Sequence, residues 1–130
     1  MSTLRISRDC CTHRGASRSA RRRWTTPSEA TRGGRRCVIG PIVLCELIWV
    51  LEGAYARNKP DLLRTLDLIL ATKQFEIGDK DVVREALEAY RRGGAHFADY
   101  LIGAGNRRAG CDETVTFDRR LKAAVGFRLL

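Results

Sequence analysis

An α/β domain with a mostly parallel sheet, confined to about residues 37–130, is the fold class this sequence predicts. Three observations carry that reading. Short apolar runs of strand composition alternate with longer stretches whose apolar residues recur at helical spacing. Gly and Pro fall at the joints between them. The 130 residues are enough for one ordinary domain with a real core, and no internal repeat divides them.

Taken in order, Val38-Ile39 reads as the end of a short buried strand. Gly40-Pro41 opens a helix, with Pro41 in its first turn, running to about Ala56. Asn58-Lys59-Pro60 breaks it, and a second helix begins at Pro60-Asp61 with a stripe of Leu62, Leu63, Leu66, Ile69 and Leu70. Phe75-Glu-Ile77 reads as a strand. Asp79 to Arg92 is an amphipathic helix stopped by Gly93-Gly94. Phe97 to Ala109 is another, ended by Gly110. Thr114 to Phe117 is a strand, Asp118 caps a short helix, and Val125 to Leu130 closes with strand character.

Residues 1–36 do not match this pattern. Apart from Met1 they hold only Leu4 and Ile6 as aliphatics larger than Ala, among ten Arg and ten Ser/Thr. Such a segment buries too little to offset the entropy of ordering, so disorder is expected across most of it. It also carries the charge. Residues 1–37 have a net charge of +8 and residues 38–130 only +1, out of +9 in all. The basic balance therefore describes a tail that could hold RNA phosphates non-specifically, and argues little about the domain.

The longest apolar stretch, Val38 to Leu51, is broken by Glu46 and falls short of the roughly 20 residues a spanning helix needs. It also starts too late for a signal peptide. Five cysteines without paired spacing predict reduced thiols in a cytoplasmic protein. Cys10, Cys11, His13 and Cys37 match no zinc spacing.

Three acids stand out. Glu46, in VLCELIWVL, has only apolar neighbours at i±3 and i±4: Ile42, Val43, Trp49 and Val50. A buried carboxylate there needs compensation, by a metal or a cluster of acids; a tolerated core acid, or one reaching a groove edge, is the plain alternative. Asp99 lies in the first turn of its helix, where the helix dipole alone would explain it. Asp118 follows a strand and precedes a helix, which makes it an N-cap, yet the carboxyl ends of parallel strands are where such sheets place their sites. Acids gathered together need a cation between them, and Mg²⁺ prefers oxygen donors with retained waters. His96, Arg119, Arg120 and Lys122 flank these acids and could meet a phosphate backbone, though a solvated surface explains them as well.

GPIVLCELIWVLEGAY, GGAHFADYLIGAGNRRAGC and VTFDRRL, in this order, closely resemble PIN-domain ribonucleases of the VapC toxin type over about residues 37–130. The resemblance implies a PIN-like three-layer α/β/α fold around a central parallel sheet. It implies a Mg²⁺- (or Mn²⁺-) dependent endoribonuclease, the toxin of a type II toxin–antitoxin pair, with an RNA substrate, a cognate antitoxin partner and a homodimeric state. It carries over Glu46, Asp99 and Asp118 as acids of the metal site, Asp99 foremost as a direct ligand, with Thr116 as a supporting polar residue.

The family's first strand ordinarily bears an Asp-Thr-Asn motif with one more acid. This chain has none; Asp9 in LRISRDCC is the nearest substitute, followed by Cys10-Cys11 rather than a strand-forming run. A missing ligand predicts weaker metal binding and an impaired enzyme. The alternative is a catalytically defective remnant that only binds an antitoxin or RNA. A missing first strand predicts that its neighbours in the sheet lack ladder partners. A shifted-frame reading of the DNA encoding residues 1–36 would explain both, since GAC repeats read as Arg in another frame and Arg21-Arg22-Arg23 is such a run.

Overall fold

The computed structural model describes residues 37–130. Asp9 and the proposed frame of residues 1–36 lie outside them. Four helices and four three-residue strands follow in the order β1 (Cys37–Ile39), α1 (Pro41–Gly53), α2 (Lys59–Ala71), β2 (Phe75–Ile77), α3 (Lys80–Arg92), α4 (Phe97–Arg108), β3 (Thr114–Thr116) and β4 (Phe127–Leu129). A single 3₁₀ turn, Arg119–Leu121, lies between β3 and β4. The predicted elements are all present, with ends that coincide or differ by up to three residues.

All strand pairing is parallel, but it forms two separate pairs, β1 with β2 and β3 with β4. This is the α/β class with parallel pairing that the sequence predicts, divided into two small sheets among the described residues. The amide of Cys37 donates to Gln74, and the carbonyl of Ile39 accepts from Gly78. Alternation along a parallel strand turns the peptide groups of Val38 to the other edge. Thr114 and Thr116 likewise bond Gly126 and Leu130, which turns those of Val115 away from β4. Among the described residues neither edge has a further strand beside it.

The core is built from the helices. Leu44 and Ile48 of α1, Leu62 and Leu66 of α2, and Val82, Val83, Ala86, Leu87 and Tyr90 of α3 meet Phe97, Tyr100, Leu101 and Ala104 of α4. The most extensive packing joins α3 to α4. Two glycines set how closely these elements approach. A Cβ on Gly93 would lie 1.7 Å from the Tyr100 hydroxyl, and one on Gly103 would lie 2.3 Å from the Phe127 ring. Tyr90, Phe97, Tyr100 and Phe127 form an aromatic chain at centroid spacings of 5.9 to 6.4 Å.

Helix starts follow local chemistry. The Asn58 side chain accepts from the Asp61 amide at 3.0 Å, capping α2, with Pro60 in the first turn. Asn58→Ala is expected to cost about 1 kcal/mol, read as a lower urea midpoint with an unchanged slope. Asp79, expected to begin α3, precedes it in the left-handed region (φ 47°) and makes no side-chain cap. Among the described residues, no helix is long and apolar enough to cross a membrane, and Cys37, Cys45 and Cys111 are free thiols.

Candidate active site

Glu46 is exposed, not buried as its neighbours suggested. The reason is the orientation of α1. Leu44 and Ile48 enter the core, so Ile42, Val43, Trp49 and Val50, which surround Glu46, are 76%, 57%, 71% and 40% exposed. The apolar ring around the glutamate is a surface. The side of α1 that reaches the other acids carries Cys45, Ile48 and Glu52 at helical spacing.

Asp99 is where burial falls instead. It is 7% exposed, and its Oδ2 accepts from the His96 amide at 3.2 Å, so it caps its own helix while facing inward. Burial pushes its carboxyl above the ordinary range, the neighbouring Asp118 adds to this, and the His96 amide opposes it. Asp118 behaves in the opposite way. Hydrogen bonds from Arg120 hold its carboxyl below the usual range. The two acids thus sit within each other's field with their proton affinities driven apart, a pattern typical of functional sites.

Asp118 is held in place from both sides. Its amide donates to Thr116 Oγ1 at 3.1 Å, and Thr116 is 2% exposed at the end of β3. Its carboxylate accepts from the Arg120 amide at 2.9 Å, which caps the 3₁₀ turn. The Arg120 side chain then grips both oxygens: Nε lies 3.0 Å from each, and Nη2 lies 2.6 Å from Oδ2. Arg120 Nη1 also lies 3.2 Å from His96 Nε2, and His96 Nδ1 lies 3.4 Å from Glu52. A guanidinium can only donate, so Nε2 accepts and the imidazole proton sits on Nδ1, toward Glu52. Asp118, Arg120, His96 and Glu52 form one polar chain beside Asp99.

Glu52, His96, Asp99 and Arg120 border a cavity of about 460 Å³, which Cys45, Ile48 and Trp49 also line; Asp118 lies behind Arg120 and is not part of its lining. Glu46 does not line this cavity; its chain neighbour Cys45 does, and the Cys45 thiol is pushed up by burial and then by the charges of Glu46 and Asp99. The fold therefore brings together Asp99, Asp118 and Thr116, leaves Glu46 at the edge, and adds Glu52 and Arg120. Glu52 was readable as the residue one and two turns beyond Ile48 and Cys45; the grip of Arg120 had no periodic signal. Among the described residues, no group of three or more His, Cys, Asp or Glu is arranged to hold a metal ion. The Asp99–Asp118 pair suits Mg²⁺ in kind, because that ion takes one or two carboxylates and completes its shell with waters and phosphate oxygens.

The family model for the PIN domain matches residues 14–126, beginning inside the Arg/Ser/Thr-rich segment. This chain belongs to the PIN-domain family. Among curated proteins it is similar to the VapC ribonuclease of Aquifex aeolicus (strain VF5), with 29% identity over 100 residues, covering 77% of this chain and 73% of the relative. No solved structure gives a significant match.

Proposed function

We propose that this protein is a metal-dependent endoribonuclease of the VapC toxin kind, with Asp99 and Asp118 as the acids that hold Mg²⁺ or Mn²⁺. The observation that carries the reading is the convergence of a buried Asp99 with Asp118 just beyond the carboxyl end of β3, both inside the stretch that the family model covers. The similarity to a VapC ribonuclease supports RNA as substrate. The metal would supply a water activated for attack on a phosphodiester and neutralise charge on the phosphate. Thr116 fixes the backbone of Asp118, and the His96 amide fixes Asp99. Glu46 and Asp9 are the further acids of this proposal, Glu46 from the rim. A cognate antitoxin, a homodimer and a cytoplasmic location go with the same reading.

The second reading, a remnant that binds an antitoxin or RNA without cutting, draws on one observation. Asp118 already has a cation in Arg120, and no third acid joins the pair among the described residues. Cleavage of structured RNAs with and without Mg²⁺ separates the two. The nuclease reading expects Mg²⁺-dependent products from the parent and none from Asp118→Asn. Products that persist in that variant would sink the site; no products from either protein would favour the remnant.

A further inference from the structure

The geometry points to Arg120 as an RNA phosphate-binding residue held in reserve by Asp118 and released when a divalent cation enters, an inference that rests on the metal-site reading above. Counting the lone pairs of Asp118 makes the case. A carboxylate has about four acceptor sites. Three N–H groups take three of them: the Arg120 amide on Oδ1, Nη2 on Oδ2, and Nε shared between the two oxygens. A cation that binds Asp118 through these oxygens competes with the guanidinium, which spans both of them. Its positive charge then repels the guanidinium as well.

The released side chain has somewhere to go. It is 45% exposed even while gripping Asp118. It lines both the acid-side cavity and a neighbouring one of about 520 Å³. That second cavity is lined by Tyr100, Phe127, Ala123 and Ala124, and it also carries Arg92 and Arg107. Its one acid, Glu85, is already bound by Arg107 at 2.5 Å. Aromatic and apolar lining together with Arg92, next to the acids, suits a nucleotide adjoining the scissile linkage, Arg107 being engaged by Glu85 and the Val125 carbonyl. Arg120 stands between the two cavities, so a phosphate bridging them lies within its sweep. Metal and RNA thereby become coupled: the ion takes Asp118, and the arginine takes the phosphate.

The full-length parent, Arg120→Gln, Arg120→Lys and Arg84→Gln test this, Arg84 being an exposed charge that lines neither cavity. Mn²⁺ affinity is measured by calorimetry, and affinity for a short labelled phosphorothioate RNA by anisotropy, with and without Mg²⁺. Removing the competitor should tighten Mn²⁺ binding in Arg120→Gln by about three- to tenfold, the scale of a partly exposed charged pair. In the parent, Mg²⁺ should raise RNA affinity; in Arg120→Gln that gain should vanish, and Arg120→Lys should keep part of it. Arg84→Gln should lose similar RNA affinity with and without Mg²⁺. Equal Mn²⁺ binding in parent and Arg120→Gln, or a Mg²⁺ gain that survives in Arg120→Gln, overturns the role of Arg120 while leaving the metal site standing. Absence of Mn²⁺ binding in every protein overturns the metal site itself, and the role of Arg120 with it.

Discussion

Replacing Asp99 by asparagine is expected to raise the melting temperature at neutral pH while reducing Mg²⁺-dependent RNA cleavage by about 100-fold or more. Burial and the charge of Asp118 both disfavour the ionised carboxylate, and asparagine removes that penalty. Its amide oxygen can still accept the His96 N–H that Asp99 Oδ2 accepts now, so the start of α4 keeps its bond. The catalytic loss should exceed what removal of a metal ligand's supporting group costs, itself about 10- to 100-fold.

The pH dependence has a definite sign. Asp99 holds its proton to higher pH in the folded state than in the unfolded one. The stability linked to that proton is therefore complete below the ordinary aspartate value and is lost as pH rises through the raised folded value. The asparagine of the Asp99→Asn variant does not titrate. The two proteins should differ least in acid, and the variant's advantage should grow with pH and level off above Asp99's folded value. Asp118, held low by Arg120, runs the other way and loses its contribution as pH falls, but it is present in both proteins. Melting curves across the acid-to-neutral range read the difference. A variant that melts lower at neutral pH would show that the hydrogen bond from His96 outweighs the burial.

Phe97→Ala carries the largest expected cost in stability, about 3–5 kcal/mol. Phe97 is 1% exposed and meets the Tyr90 ring edge-on at 5.9 Å, so truncation empties the seam between α3 and α4. Domains of this size have total stabilities of only about 5–15 kcal/mol, so the variant sits near unfolding. Because Phe97 begins α4 two residues before Asp99, the site should loosen with it. Urea unfolding gives the magnitude. Phe97→Leu keeps most of the volume and should recover most of the loss; equal damage in both would mean that the ring's edge contacts, not its bulk, hold the seam.

The element order was legible because strand composition and helical period alternate cleanly after Cys37, with Pro41, Pro60 and Gly93 marking the joints. Asp99 and Asp118 were legible as members of motifs, although the burial of Asp99 was not. Glu46 shows why. Periodicity reveals which residues share a helical face, but not whether anything covers that face, and here the ring around Glu46 faces outward. The grip of Arg120 on Asp118 spans two residues in a 3₁₀ turn, a spacing with no helical or strand signature. The sequence contains no Asp-Thr-Asn motif, from which unpartnered strands are expected, and among the described residues the strands form two separate pairs.

The exposed ring on α1 has a consequence for the protein's behaviour at high concentration. Residues 42–51 join β-branched and aromatic side chains in a run without Pro, and Glu46 is its only charge. Such windows are the ones that self-associate when a chain is new or partly unfolded, and a single charge inside them acts as a gatekeeper. Whatever Glu46 contributes at the rim of the site, it also interrupts the stickiest segment of the chain, and this second duty would survive even where the first is lost.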